Sequence, residues 1–218
     1  MDFESMKESA MKSLEKPGTS PPLPKTRNFR HPVLYIFRHC QTSDNVKRIF
    51  SGRRQTALTP KGRKQAELLA EKLKKKHIEI FISPPVLRCE QTLEPILPLH
   101  PNAKYIKKKT LEERDYGILT GKSKMQVMKE FPEEAVYWRR SWDVPPPKGE
   151  SLKQVWDSRL HSFCEWLNKQ LKDGRSVAYC GTNNTLRLVR MYFEDLSIEQ
   201  AMEIEMPYAD YAAYNYKI

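Results

Sequence analysis

The sequence predicts a three-layer α/β domain with a mostly parallel sheet, and three observations carry that expectation. Residues 33–37 (Val-Leu-Tyr-Ile-Phe) form an uncharged run rich in β-branched and aromatic types, as expected of a strand buried on both faces. Similar runs return at 78–83 and 176–180. Segments of helical periodicity separate them, and strand, helix, strand in that order makes a right-handed crossover and so a parallel pair.

Taken in order, residues 1–31 mix Lys, Glu and Ser with Pro17, Pro21, Pro22 and Pro24, and read as a tail too polar to pack, with at most a short helix over 1–14. No chemistry is assigned to it. The domain proper is read as 32–218. Its first strand ends in Arg38 and His39, at the carboxyl edge where open α/β sheets place ligands. Imidazole can act as nucleophile or base, and guanidinium presents a planar fork to phosphate oxygens. The pair points to phosphoryl transfer through a phosphohistidine, although an Arg-His dipeptide alone is more often a solvated turn.

Residues 43–52 read as a loop whose hydroxyl, amide and glycine groups can donate to anionic oxygens. A helix over 58–73 starts plainly, with Thr59 as N-cap, Pro60 in the first turn and apolar residues at 66, 69, 70 and 73. The strand at 78–83 feeds a helix carrying Arg88, which the topology brings to the edge that holds His39. A surface arginine is the plain alternative. Residues 104–109 form a basic edge strand. Glu112 and Glu113 follow as candidates to shuttle a proton at an attacking hydroxyl, against the alternative of a salt-bridged loop.

Residues 125–141 are expected as one helix, ending near Arg139 and Arg140, which could reach a second anionic group. The proline run at 145–147 stops it and holds an extended cover. A long helix over 151–171 opens on a serine. The strand at 176–180 turns through Gly181-Thr182-Asn183-Asn184 into a helix whose N-terminal amides suit an anion. A helix from Ser197 and a strand near 212–216 close the chain.

Composition bounds the function. Hydrophobic residues make up 39% and charged residues 30% of 218, which suits a globular chain. No apolar run approaches the ~20 residues of a membrane span, and no signal-peptide core is present, so the expectation is a cytoplasmic protein without a membrane partner. The four cysteines lack CxxC spacing, so neither zinc nor a disulfide framework is indicated. A net charge of +11 fits either a nucleic-acid surface, helped by the lysines at 74–76 and 107–109, or attraction of a small anionic substrate. No nucleic-acid-binding signature accompanies the lysine runs, and the small phosphorylated substrate is preferred.

Taken together, the motifs resemble the histidine phosphatase superfamily, and within it the 2,3-bisphosphoglycerate-dependent phosphoglycerate mutases. Arg38-His39-Cys40 stands where the family has Arg-His-Gly, and Leu87-Arg88-Cys89-Glu90-Gln91-Thr92 matches its second arginine motif. Narrower matches are Glu112-Glu113-Arg114-Asp115-Tyr116-Gly117 and Trp138-Arg139-Arg140 running into the prolines. The resemblance implies His39 as the phosphorylated nucleophile, Arg38, Asn45 and Arg88 on the phosphoryl group, and Glu113 as general acid and base. It implies Ser51, Gly52, Arg114, Tyr116, Lys124, Arg139, Arg140, Asn183 and Asn184 as substrate ligands. It also implies 2,3-bisphosphoglycerate as primer and no metal.

Two departures stand out. Cys40 replaces a glycine, and Thr182 stands where the family has its second histidine. Loss of one transition-state donor costs on the order of 10²–10³ in rate, so the resemblance implies an enzyme weakened at Thr182, with a phosphatase or a silent binding relative as alternatives. The short link Lys148-Gly149 implies an open site mouth and a monomer or small homo-oligomer.

Overall fold

A computed structural model of the chain describes residues 2–15 and 22–217. Five strands form one sheet: β1 (Leu34–Arg38), β2 (Ile80–Ser83), β3 (Lys104–Lys107), β4 (Val177–Gly181) and β5 (Tyr211–Tyr214). Their spatial order is β3-β2-β4-β1-β5, with every pair parallel except β1 with β5. Alternation along β1 feeds two cores. Leu34 and Ile36 face a cluster that includes Leu160, Phe163, Leu167 and Leu188, while Tyr35 and Phe37 face Leu69, Leu73, Val86 and Leu93. Helices thus cover both faces, as expected of a strand apolar on both sides. β3 takes the edge, with its lysines at either end exposed, a placement that guards an open edge against pairing.

The helices that matter to the site follow from local signals. α2 is a single turn, Ser43–Val46, inside the stretch expected as loop; Thr42 and Asn45 cap it reciprocally. α3 (Pro60–Leu73) starts under a Thr59 cap as expected. α4 (Leu87–Leu93) follows β2. The single helix expected over 125–141 is instead two, α5 (Lys124–Glu130) and α6 (Glu134–Arg140). Pro132 explains the break, because it disfavours helical geometry at Phe131, which sits at φ −134°, ψ 71°. The long helix after Ser151 is continuous as α7 (Leu152–Val155), a π-helical turn (Trp156–Leu160) and α8 (His161–Lys172). α9 (Asn183–Glu194) and α10 (Ile198–Glu203) complete the set.

The N-terminal stretch departs from the expected tail. Phe3–Glu15 forms helix α1, which packs on α6 and buries Met6, Ala10 and Leu14. Those three fall four residues apart, so one face is apolar despite a polar composition. Pro17 and Pro21 lie outside the described residues. Further on, Leu23 is buried and the backbone of 24–26 pairs with Ala213 on the outer edge of β5. None of the described helices is long and apolar enough to cross a membrane.

Candidate active site

The site is built where β1 and β4 end side by side. Arg38 lies opposite Gly181 in the parallel register, and the next residue, His39, donates its N–H to the Gly181 carbonyl at 3.1 Å. Cys40 N–H then donates to Thr92 Oγ1 at 2.9 Å, and that hydroxyl donates to the Arg88 carbonyl at 2.8 Å. The loop after β1 is thereby tied to the helix that carries Arg88. The Cys40 side chain packs with Leu58 and Ala66 rather than into the cavity, so replacing glycine adds core contact and leaves the phosphate side open. Burial drives its thiol up to about 11. The loop is pressed from behind by α3: a Cβ on Gly62 would sit 2.1 Å from the Gln41 carbonyl oxygen.

His39 is 4% exposed. Its Nδ1 lies 2.8 Å from the Cys40 carbonyl, which can only accept, so Nδ1 carries the proton and Nε2 keeps the lone pair. Burial first, then the neighbouring Arg88 and Arg38, holds the imidazole well below its ordinary pKa and therefore neutral.

One cavity collects most of the residues singled out in the sequence. It is lined by Arg38 and His39 from the end of β1, Asn45, Ser51 and Gly52 from the following stretch, and Arg88 from α4. Glu113, Arg114, Tyr116, Lys124, Arg139, Arg140, Asn183 and Asn184 also line it. Thr182 does not. It is buried as the N-cap of α9, its hydroxyl 3.1 Å from Thr185 Oγ1, which also receives the Tyr179 hydroxyl at 2.8 Å. Sequence reading missed Ser13, Ile49, Phe50, Arg187 and Glu205, which line the same cavity.

Seven basic side chains, Arg38, Arg88, Arg114, Lys124, Arg139, Arg140 and Arg187, face two carboxylates, Glu113 and Glu205. The excess calls for an anion. Arg88 is held by two backbone acceptors, Gly52 O at 2.7 Å and Arg54 O at 2.8 Å. Gly52 supplies its carbonyl from φ +50°, a left-handed conformation that favours glycine. Arg114 stacks over Tyr116 at 4.7 Å and gives Nη2 to the Trp138 carbonyl. Among the described residues, six buried nitrogens of these arginines meet no acceptor: Nε of Arg38, Arg88, Arg114 and Arg140, and Nη1 of Arg114 and Arg139. Buried donors are normally paired, and one polyanion could satisfy this group.

The carboxylates are engaged differently. Glu113 Oε1 accepts from Arg114 N–H at 2.9 Å and Asn184 Nδ2 at 3.0 Å. Asn184 in turn accepts from Arg187 Nη1 at 3.2 Å and donates to the Tyr116 hydroxyl at 2.9 Å, so it fixes Glu113 within a network. Glu205 accepts from Arg187 Nη2 at 2.5 Å and Arg140 Nη2 at 3.3 Å. Burial pushes its carboxyl up, but Arg187 and Arg140 outweigh that and hold it at about 2. Lys124 moves the other way, to about 7, through burial and then Arg139 and Arg38. Asn45 accepts from both Thr42 N–H and Thr42 Oγ1 through Oδ1, which leaves its amide donors for the cavity. Among the described residues, no three His, Cys, Asp or Glu side chains gather as a metal site would need.

The chain as a whole also resembles known proteins. The family model described as the histidine phosphatase superfamily (branch 1) matches residues 34–217. A 2,3-bisphosphoglycerate-dependent phosphoglycerate mutase of Cytophaga hutchinsonii is 33% identical over 177 residues, covering 80% of this chain and 83% of that protein. One from Mesorhizobium japonicum is 35% identical over 183 residues, covering 80% and 87%. A mycobacterial glucosyl-3-phosphoglycerate phosphatase superposes with a TM-score of 0.73 over 84% of this chain and 90% of its own, at 21% identity, a likeness of fold.

Proposed function

This chain belongs to the histidine phosphatase superfamily, branch 1, and from that premise we propose that it transfers phosphoryl groups through a phosphohistidine at His39. The observation that carries the reading is the imidazole itself: neutral, fixed by Cys40 O so that Nε2 holds the lone pair, and flanked by Arg38 and Arg88. Nε2 forms the bond to phosphorus as the leaving oxygen departs with its electron pair. Glu113 protonates that oxygen, and in the return step takes the proton from the hydroxyl that receives the phosphoryl group. Arg38, Arg88 and the Asn45 amide hold the equatorial oxygens, whose charge they offset.

The finer reading is interconversion of 3- and 2-phosphoglycerate, with 2,3-bisphosphoglycerate supplying, when bound, the phosphoryl group that loads His39. Three features support it. The two relatives at 33% and 35% identity carry the name of mutases. Arg114, Arg139 and Arg140 present buried donors beyond those that serve one phosphoryl group. Lys124, Ser51, Gly52, Tyr116 and Asn183 complete a lining suited to a carboxylate and a second phosphate.

A specific observation favours a second reading, a phosphatase of monophosphorylated substrates. Glu205 already takes up part of Arg140 and Arg187, and Ser13 takes up part of Arg139. Side-by-side assays separate the two. Interconversion of 2- and 3-phosphoglycerate stimulated by 2,3-bisphosphoglycerate supports the mutase, and phosphate release from monoesters without interconversion overturns it.

A further inference from the structure

We propose that the N-terminal helix, Phe3–Glu15, is a displaceable internal ligand of the outer half of the site, and that a substrate bearing two anionic groups takes over Arg139 and Arg140 from it. The inference rests on the phosphoryl-transfer reading above and names how the same site chooses among anions.

The helix meets both arginines through acceptors. Ser13 Oγ accepts from Arg139 Nη2 at 2.8 Å while its own proton goes to the Ala10 carbonyl at 2.9 Å. The Ser9 carbonyl accepts from Arg140 Nη2 at 3.0 Å. Ser13 therefore stands where an anionic oxygen would stand, inside the cavity that holds His39. Both acceptors are neutral oxygens. A phosphate or carboxylate oxygen makes a charge-assisted bond, roughly twice as strong, to the same donors. Arg139 Nη1 and Arg140 Nε have no acceptor among the described residues, so a bidentate anion finds more on each guanidinium than the helix offers.

The seat is also light enough to yield. Met6, Ala10 and Leu14 are the buried apolar residues of this helix, with Phe3 against Tyr137 at a ring distance of 5.5 Å. The opposite face is charged and exposed. A helix of 13 residues is marginal in water once it leaves its partner. Displacement should therefore unfold it, and loss of backbone protection reports the event. A single phosphate held at Arg38 and Arg88 leaves Arg139 and Arg140 with the helix, so the response distinguishes ligands with one anionic group from those with two.

Hydrogen–deuterium exchange on the full chain tests this, with inorganic phosphate and 2,3-bisphosphoglycerate as probes at concentrations shown by calorimetry to saturate. The expected result is faster exchange in peptides spanning 3–15 with 2,3-bisphosphoglycerate and no change with phosphate. Unchanged or slower exchange with the bisphosphate overturns the proposal, because the helix would then be a bystander or a clamp. A double variant, Ala10→Gln with Leu14→Gln, unseats the helix without adding a charge that could compete for the arginines. It should bind 2,3-bisphosphoglycerate about tenfold more tightly, with phosphate affinity unchanged, and equal or weaker binding counts against displacement. Absence of bisphosphate binding to either form also overturns it. Acid-labile phosphate on His39 from any phosphomonoester would leave the phosphoryl-transfer reading standing in that case.

Discussion

The Cys40 carbonyl lies 2.8 Å from Nδ1 of His39 and sets the tautomer of the imidazole on which the site converges. With burial, Arg88 and Arg38 all disfavouring the cation, the ring should remain neutral through the range where free histidine charges. Nitrogen-15 chemical shifts of His39 should show a protonated Nδ1 and a bare Nε2 from pH 8 to below 6.5. The linkage follows in sign: a base whose folded pKa is depressed binds protons better unfolded, so stability falls as pH drops below about 6.5. A titration of the His39 ring centred at or above 6.5 would contradict this.

Glu113 should matter in proportion to the leaving group. Glu113→Gln keeps the bonds to Arg114 N–H and Asn184 in shape but removes the proton shuttle. Turnover with an alkyl phosphate should fall by about 10²–10⁴, while p-nitrophenyl phosphate, whose leaving group needs no proton, should suffer far less. Equal losses for both would move Glu113 from proton transfer to a structural role.

Glu205 is a charge clamp between Arg187 and Arg140. Its folded pKa of about 2 lies below the ordinary 4.5, so its stabilisation is present above pH 4.5 and is lost as pH falls toward 2. Glu205→Gln should destabilise the protein at pH 7 by about 1.5–3 kcal/mol, the scale of a hydrogen bond to a charged group. The difference between the two proteins in denaturant midpoint should shrink from pH 4.5 downward. The same variant should bind 2,3-bisphosphoglycerate more tightly, because one negative charge leaves the cavity.

Thr182 caps α9 and is tied to Thr185, outside the cavity lining. Thr182→His should add a donor for the transferring group and raise turnover, by up to about 10²–10³ if the donor reaches. It should also lose the hydroxyl contact with Thr185, at a cost of about 0.5–1.5 kcal/mol. Steady-state kinetics and thermal melts on the same preparation read both effects, and a variant with lower stability and no kinetic gain would deny Thr182 any bearing on rate.

The division between what the sequence reveals and what it hides has physical causes. Strands such as 33–37 announce themselves because both faces are buried, and Arg38, His39 and Arg88 are legible because strand ends and helix starts put them on one rim, whereas Glu113 is told from Glu112 only by the family resemblance. Glu205 carries no such mark: it follows Ile204 and precedes Met206, and only the packing of the segment after α10 turns its carboxylate toward Arg187. Ser13 is hidden for another reason, since its role depends on a helix whose partner, α6, lies more than a hundred residues away. The break at Pro132 has a sequence cause, the restriction a proline places on the residue before it, but the helical periodicity on either side masks it.

The most direct test of the central claim is incubation of the protein with radiolabelled 2,3-bisphosphoglycerate, followed by peptide mapping of acid-labile, base-stable phosphate. One phosphoryl group on His39, absent from His39→Ala, is the predicted result. Turnover without label at His39, or label that survives in His39→Ala, would contradict a phosphohistidine mechanism at this site.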